Sequence, residues 1–297
     1  MDQRPEAVTH EATFTENRRL LFSIAYEILG SVVDTEDVLH DSYLRWRDVD
    51  LTLIDNPRAY LAQIVTRQAL GVLRSAACRR EEYIGPWLPE PLATEADDGV
   101  EHVLTGEAVT TAMLLVLEKL TPVQRAVFVL REVFAFDYSE IATAVDKSEA
   151  AVRQLNQRAR DRVHAQRHTA IATPAEARSV VERFAIAAAT GNVQALMDVL
   201  APEVVFLGDG GGVVNAVRRP VLGQDKVARL VIGLLAKGQR MGTMGMHFGV
   251  YNAMPSIVAT VDGMLDQVTS IEVTDGVVTA LYSVRNPDKL RTVRVPT

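Results

Sequence analysis

Two adjacent helices predicted between Asp137 and Arg160 carry the residue types whose spacing most clearly suggests chemistry. The segment reads DYSEIATAVDKSEAAVRQLNQRAR. Val152 and Leu155 would bury one side of the second helix. Its outward side would then carry Arg153, Gln154, Gln157 and Arg158, and Lys147 lies in the turn before it. Arginine and glutamine read base edges in the major groove, and basic groups nearby bind phosphates. The segment predicts a helix-turn-helix that binds DNA; the alternative is a three-helix bundle with a solvated basic face.

Helical periodicity positions these residues and continues on both sides of them. The predicted helices cover residues 14–30, 34–46, 58–80, 122–133, 138–145 and 148–163. Gly30 would stop the first helix, and Asp34 would serve as the N-cap of the second. Thr121 followed by Pro122 is an N-cap with proline at the first helical position. The first two thirds of the chain are therefore predicted to be all-helical.

After His168 the pattern changes from helices to strands. Helices are expected at 174–190, 193–200 and near 223–237, and strands at VVFLG, GGVVNAV, HFGVY, SIVATV, MLDQVTSIEV and GVVTALYSV. Asp262-Gly263 and Asp275-Gly276 are hairpin turn signals. The predicted fold is multidomain, with two all-α domains followed by an α+β domain that contains a meander of antiparallel strands.

Composition excludes several classes of protein. The chain has 297 residues, 48% hydrophobic and 23% charged, with a net charge of −7. Its first residues lack the apolar stretch of a secretory signal, and no run of apolar residues is long enough to cross a membrane. Cys78 is the only cysteine, so no internal disulfide and no cysteine-based metal cluster is expected. We expect a cytoplasmic protein with no cofactor and no metal.

Acidic and basic residues are segregated along the chain. Residues 81–107 hold eight acidic side chains and no lysine or arginine, whereas residues 147–168 hold six basic side chains and two acidic ones. The acidic stretch lacks periodicity and contains the prolines of PWLPEP, which is typical of a linker. Acidity concentrated in a linker does not argue against DNA binding elsewhere.

The helical part resembles the extracytoplasmic-function sigma factors of bacteria. LLFSIAYEILGSVVDTEDVLHDSYLRW is similar to their region two, whose aspartate-rich helix docks on the clamp helices of the polymerase β′ subunit. The resemblance implies polymerase contacts at Asp34, Glu36, Asp37, His40 and Asp41. NPRAYLAQIVTRQALGVLRS is similar to the helix that follows, which implies promoter-strand contacts at Arg58, Arg67 and Arg74. The loop before it, Asp48 to Pro57, would capture an unstacked minus-ten base.

The segment from Leu120 to Arg160 is similar to region four, which reads the minus-thirty-five element. The family usually has glycine where this chain has Asp146, and aspartate tolerates the left-handed backbone that the turn requires. The resemblance implies that the acidic linker threads the polymerase cleft and mimics nucleic acid there; a disordered acidic tether is equally compatible with its composition.

Three short motifs resemble the group of these sigma factors that carries a fused SnoaL-like domain, a cone of curved sheet with helices. The motifs are WLPEP at 87–91, DGGG at 209–212 and NPDKL at 286–290. The resemblance implies a regulatory role within the chain, with NPDKL lying against the first domain and the linker. The residues concerned are Trp87, Leu88, Pro89, Glu90, Pro91, Asp209, Gly210, Gly211, Gly212, Asn286, Pro287, Asp288, Lys289 and Leu290. Composition alone favours a plain turn at NPDKL and an ordinary linker residue at Trp87.

SnoaL-like domains also occur as isomerases and cyclases, and five residues of this domain could act as an acid or a base. They are Asp198, Asp209, His247, Tyr251 and Asp262. A general base needs a partner and a tuned pKa, neither of which is visible in sequence. Asp262 is better explained by its turn and His247 by packing. We therefore expect no catalysis, while a small-molecule ligand in the apolar cone remains an alternative.

The sequence thus predicts an alternative sigma factor whose last domain modulates its activity. The predicted domains are 1–80 for region two, 81–107 for the acidic linker, 108–168 for region four and 174–297 for the SnoaL-like domain. Expected partners are core RNA polymerase, through the β′ clamp helices and the β flap, and promoter DNA, with the free protein a monomer that binds no membrane. The alternatives are a ligand-sensing helix-turn-helix regulator and a DNA-tethered isomerase or cyclase.

Overall fold

The computed structural model describes residues 9–81, 83–94, 110–165 and 174–295, without the side chains of residues 76–81 and 174. They form two units. The first contains the described residues up to 78 and residues 116–165; the second contains residues 79–94, 110–115 and those from 174 onward. The predictions made for Glu82, Glu95, Asp97, Asp98, Glu101 and Glu107 of the acidic linker lie outside the described residues.

Helices build the first unit, as predicted. Their bounds are α1 (His10–Leu29), α2 (Val32–Arg47), α3 (Pro57–Glu81), α4 (Thr111–Leu117), α5 (Pro122–Phe128), α6 (Tyr138–Val145) and α7 (Glu149–His164), with α3 and α4 having residues in both units. Leu21, Ile24 and Ile28 of α1 are fully buried, and so is Trp46 of α2. The Trp46 indole donates a hydrogen bond to the carbonyl of His10 at 2.9 Å, which ties the two helices together.

The corner between α1 and α2 corrects one prediction. Gly30 ends α1 in the left-handed conformation (φ 68°), as expected, but Ser31 and not Asp34 caps α2. The Ser31 hydroxyl accepts a hydrogen bond from the amide of Asp34 at 3.2 Å. Serine caps a helix as well as aspartate does, and the earlier capping residue lets α2 start directly after the turn. Asp34 consequently lies inside the first turn of the helix.

The helix predicted at 122–133 changes its geometry part-way. Thr121 and Gln124 form a capping box at its start, and the α-helix gives way to a π-helical turn at Val129–Val133. Arg125 lies on the buried side and donates hydrogen bonds to the carbonyls of Leu117 (3.0 Å) and Ile28 (2.8 Å). Burial raises the pKa of the neighbouring Glu27 well above its usual range, and the charge of Arg125 opposes that shift. Arg125 thus connects α5 to the end of α1.

The second unit is an α+β domain with a mixed sheet. It contains α8 (Pro174–Thr190), α9 (Val193–Met197) and α10 (Gln224–Met241), and the strands β1 (Leu200–Asp209), β2 (Val221–Leu222), β3 (Met244–Tyr251), β4 (Met254–Val261), β5 (Met264–Thr274) and β6 (Val277–Val284). The strand order is β2-β1-β6-β5-β4-β3. Strands β3 to β6 form the expected antiparallel meander, but β1 pairs with β6 in parallel. The predicted α+β fold with its meander is confirmed, and the parallel pairing of β1 is an addition that the sequence analysis did not include.

Two further predictions for this unit need correction. GGVVNAV is not a strand, because Gly211 and Gly212 have φ values of 61° and 75° and the chain turns there. The helix predicted at 193–200 ends at Met197, and Leu200 already belongs to β1. The hairpin turns are confirmed, since Asp262 and Gly263 both have positive φ, as do Asp275 and Gly276. Valines alone do not make a strand where glycines bend the backbone.

The sheet buries both of its faces. On one face α8, α9 and α10 pack against side chains such as Ile257 and Leu281. On the other face the following residues in each strand, Val258 and Tyr282, pack with Leu88 and Leu290. Alternate strand residues point to opposite faces, so residues outside the domain's own helices are needed to cover the second one. The segment around Leu88 supplies this cover.

Candidate functional site

The three motifs WLPEP, DGGG and NPDKL meet at one place in the second unit. Leu88 is completely buried, and Pro89, Glu90 and Pro91 are buried beside it. Asp209, at the end of β1, is completely buried, and Lys289 is 7% exposed. We refer to the contacts among Tyr83, Trp87, Leu88, Asp209 and Lys289 as the linker clasp.

Asp209 is the centre of the linker clasp. Its carboxylate accepts hydrogen bonds from the Lys289 ammonium (2.7 Å), the Leu88 amide (2.8 Å) and the Tyr83 hydroxyl (2.5 Å). The amide of Gly211 donates a fourth, at 3.0 Å. A buried charge is tolerated only when its partner and its remaining lone pairs are satisfied. Asp209 meets this condition by binding the linker.

Lys289 contacts the linker as well as Asp209. Its ammonium donates to the carbonyl of Leu88 at 2.5 Å and lies 4.1 Å from the centre of the Trp87 ring and 5.0 Å from that of Tyr83. Burial, and then the hydrogen bond to Asp209, raise the pKa of Tyr83, which keeps its hydroxyl protonated as a donor. Lys289 is therefore enclosed by the linker and Asp209 and is not exposed to an outside surface. Asp288 is exposed and pairs with Arg291.

Glycine is required in DGGG because the backbone approaches its neighbours closely. Gly211 has φ 61°, and a Cβ there would collide with the side-chain amide of Asn286. Gly212 has φ 75°, and a Cβ there would lie 2.9 Å from Cδ1 of Ile84 in the linker. Only glycine combines positive φ with the absence of a side chain at no cost. The motif therefore lets β1 end against the linker and NPDKL together.

Asn252 extends the contact along the linker, and sequence reasoning missed it. Its amide donates to the carbonyl of Leu92 (2.8 Å), and its side chain accepts from the amide of Leu92 (3.1 Å) and donates to the carbonyl of Glu90 (3.1 Å). The amide of Thr94 then donates to the carbonyl of Val250 at 3.0 Å. The turn between β3 and β4 thus holds residues 90–94 by backbone-type hydrogen bonds. The available signal was an asparagine between the predicted strands HFGVY and SIVATV, because asparagine is a preferred turn residue.

The predicted polymerase contacts lie on one accessible side of α2. Glu36, Asp37, His40 and Asp41 are exposed, and Asp34 is half-buried. Two apolar side chains, Val33 at 46% and Leu44 at 39% exposure, flank this acidic surface. Glu36 already pairs with Arg18 of α1 at 2.6 Å. The surface combines negative charge with apolar side chains, which suits a protein partner better than it suits DNA.

The helix-turn-helix has the geometry that the sequence predicts. Asp146 adopts the left-handed conformation (φ 54°) between α6 and α7, and α7 buries Val152, Asn156, Ala159 and Val163. The predicted DNA contacts are all exposed: Lys147, Arg153, Gln154, Gln157 and Arg158. The buried Asn156, which donates to Glu132 at 2.6 Å, was missed because its position reads as polar.

The predicted minus-ten contacts on α3 do not share one environment. Arg67 donates hydrogen bonds to the carbonyls of Thr143 (2.7 Å) and Ala144 (3.4 Å) at the end of α6. Arg58 lies 5.0 Å from the centre of the Phe136 ring. Arg74 is exposed. In the first unit, two of the three arginines are therefore occupied by the segment that carries the helix-turn-helix.

The five acid–base candidates do not come together. Asp198 is exposed at the end of α9, and Asp262, in the turn between β4 and β5, accepts a hydrogen bond from the amide of Thr243, the residue before β3. The Tyr251 hydroxyl donates to the carbonyl of Arg294 at 3.1 Å, and Asp209 belongs to the linker clasp. His247 lies half-buried on β3, opposite Val258 of β4. None of the five lines the cavity that lies between α8, α10 and the sheet.

Family models match both helical parts of the chain. Sigma-70 region 2 matches residues 13–78, and sigma-70 region 4 matches residues 110–163. The chain is 40% identical over 286 residues to the ECF RNA polymerase sigma factor SigJ of Mycobacterium tuberculosis, covering 93% of this chain and 91% of that relative. The chain belongs to the extracytoplasmic-function sigma factors. It is a sigma factor with an added C-terminal domain and not an enzyme.

Further comparisons agree along the whole sigma factor. The probable sigma factor SigI of M. tuberculosis is 29% identical over 286 residues, which is 95% of each chain. The crystal structure of M. tuberculosis SigJ superposes with a TM-score of 0.78 at 35% identity, covering 96% of this chain and all of that one. An alternative sigma factor binds core RNA polymerase and directs transcription initiation at promoter DNA. Among the described residues, no helix is long and apolar enough to span a membrane.

Proposed function

We propose that this sigma factor regulates itself by holding its own linker on its C-terminal domain until core polymerase takes the linker away. The carrying observation is the linker clasp, in which a buried aspartate and a buried lysine both complete their hydrogen bonds with linker residues. The resemblance to sigma factors implies that the linker threads the polymerase cleft. The same residues cannot lie in the cleft and in the clasp, so the two sites compete.

The roles of the individual surfaces follow from their chemistry. The acidic side of α2 would bind the β′ clamp helices, and the exposed face of α7 would read the minus-thirty-five element, with region four also meeting the β flap. Arg58, Arg67 and Arg74, with the loop before α3, would contact the minus-ten strand. Leu53, 77% exposed in that loop, offers apolar surface to an unstacked base. We infer that the free protein is a monomer and that it binds polymerase in the cytoplasm.

The helix-turn-helix segment supplies a second element of the same regulation. Arg67 and Arg58 contact residues near α6 in the free first unit, so promoter binding requires these contacts to be exchanged for contacts with DNA. An arginine bound to two carbonyls is not free to bind phosphate. Polymerase would therefore both separate α3 from the segment that carries the helix-turn-helix and remove the linker from the C-terminal domain. Before that, with Arg58 and Arg67 bound near α6, the free chain would have low affinity for promoters.

Run-off transcription tests the regulatory proposal. Trp87→Ala removes an aromatic ring that lies 4.1 Å from the Lys289 ammonium without leaving a new buried charge. The lost cation–π contact is worth about 1 kcal/mol, so linker release becomes easier and transcripts made with core polymerase should rise up to about fivefold. Met264→Ala truncates an apolar side chain that is 75% exposed, and it should leave the amount of transcript unchanged. Equal or lower output from Trp87→Ala would contradict the proposal.

A further inference from the structure

The C-terminal domain contains a cavity between α8, α10 and the sheet. The space in it that can take the centre of a water-sized molecule is about 100 Å³, whereas about 10–15 Å³ on the same measure holds one water molecule, so there is room for a small ligand. Most of its wall is apolar, with Phe184, Val231, Leu235, Ile257 and Leu281 among the lining residues. The linker clasp lies elsewhere, and none of its five residues lines this space. The cavity therefore has no part in holding the linker.

One end of the cavity is polar and contains an incompletely bonded arginine. Arg285 donates to Asp266 (2.5 Å) and to the carbonyl of Asn215 (2.7 Å). Its Nε is buried and has no hydrogen-bond partner among the described residues. This Nε is enclosed by protein atoms, so it is the positive charge of the guanidinium, and not Nε itself, that a ligand can meet. Because Arg285 lines the cavity, this charge lies near the head group of any ligand bound there.

A second space continues from the first at this polar end. It has about 200 Å³ of space for the centre of a water-sized molecule and shares five lining residues with the main cavity: Phe206, Leu234, Lys237, Gln267 and Arg285. The charged residues that line the two spaces are Lys237, Asp266 and Arg285, which leaves one net positive charge. An apolar chamber ending in a net positive, hydrogen-bonding region suits a molecule with an apolar body and an acidic head.

The open side of the cavity is rich in flexible apolar side chains. Met241 at the end of α10 is 57% exposed and Met246 on β3 is 42% exposed, and both line the opening. Phe248, two residues along the same edge strand, is 52% exposed. Methionine adapts its shape to different apolar partners. These residues provide an apolar rim through which a ligand enters.

We propose that this cavity binds a small amphipathic acid, with the apolar body between α8, α10 and the sheet and the carboxylate at Arg285 and Lys237. The site is separate from the polymerase and promoter surfaces, so it adds a binding activity that initiation itself does not require. If the cavity binds nothing, the sigma factor function and the linker clasp are unaffected.

The binding test uses the full-length chain and the fluorescent apolar probe N-phenyl-1-naphthylamine. We expect saturable binding of one probe per chain, confirmed by calorimetry. Decanoate and decanol, which share a ten-carbon chain but differ in head group, then compete for the site. Decanoate should displace the probe at about one tenth of the decanol concentration, because a charge-assisted hydrogen bond is worth about a factor of ten.

Two variants assign the binding to this cavity. Leu234→Trp fills the space where the two parts join and should abolish probe binding. Lys237→Met removes one exposed positive charge and should reduce the preference for decanoate to about threefold or less, whereas Lys226→Met, also exposed on α10 but outside the lining, should leave it unchanged. If Leu234→Trp does not fold, the ligand preference of Lys237→Met, compared with that of Lys226→Met, tests the proposal. Absence of saturable binding, equal competition by both ligands, or identical behaviour of the two lysine variants would overturn the proposal.

Discussion

Replacing Asp37 and Asp41 together by arginine will abolish binding of the chain to core RNA polymerase. Both carboxylates are exposed on α2, next to the exposed Val33 and Leu44. Under the proposed docking of α2 on polymerase, reversing two charges replaces two attractions by two repulsions, and each like-charge contact costs several kcal/mol. We expect the affinity for core polymerase to fall at least about a thousandfold, as measured by fluorescence anisotropy of labelled protein.

The control carries the same change of charge at a distance from α2. Glu182→Arg with Glu203→Arg alters two exposed side chains of the C-terminal domain and adds the same four units of positive charge. It should bind polymerase as the unaltered chain does. If the α2 variant keeps its affinity, the acidic side of α2 is not the docking surface. If both variants lose affinity equally, net charge and not the docking helix controls binding.

Replacing Asp209 by alanine will release the linker and strongly destabilise the C-terminal domain. The change leaves the buried ammonium of Lys289 without its 2.7 Å partner and removes the acceptor for the Leu88 amide and the Tyr83 hydroxyl. Breaking a buried ion pair by removing one partner costs about 3–5 kcal/mol. Thermal unfolding monitored by the fluorescence of Trp87 should show the loss, in a background where Trp46 is replaced by phenylalanine.

A set of related variants isolates the ion pair. Lys289→Met should cost less than Asp209→Ala, because Asp209 keeps the donors Tyr83, Leu88 and Gly211. The double variant should be more stable than the sum of the two single losses predicts, since neither charge is then left alone. Asp288→Ala breaks only the exposed pair with Arg291 and should have little effect. Additive losses in the double variant would contradict a coupled buried pair.

The helical parts were largely predictable because their signals are local. Gly30, the Thr121-Pro122 cap and the left-handed Asp146 each specify a helix end through their own backbone preferences. The error at Asp34 arose because two good capping residues lie three positions apart and sequence does not decide between them. The π-helical turn after Phe128 was missed because an apolar run has the same pattern in either helix.

The site was predictable as a set of motifs but not as a geometry. WLPEP, DGGG and NPDKL could be marked from resemblance, yet the burial of Lys289 could not, because lysine at the end of a strand is usually exposed. Only tertiary structure shows that Asp209 and two aromatic rings surround it. Asn252 and Arg285 were missed for the same reason, since each acts through partners distant in sequence. The parallel pairing of β1 with β6 is likewise a long-range feature.

Hydrogen exchange at the turn between β3 and β4 tests the competition for the linker most directly. In the free chain, the amide of Asn252 donates to Leu92 and that of Ala253 to the Thr94 hydroxyl. Both reporters belong to the C-terminal domain, so they record the departure of the linker and not its arrival in the cleft. On adding core polymerase, we predict that exchange in the peptide containing Tyr251, Asn252 and Ala253 speeds up markedly. Unchanged or slower exchange in the complex would mean that the linker stays on the C-terminal domain, and self-regulation by linker capture would be wrong.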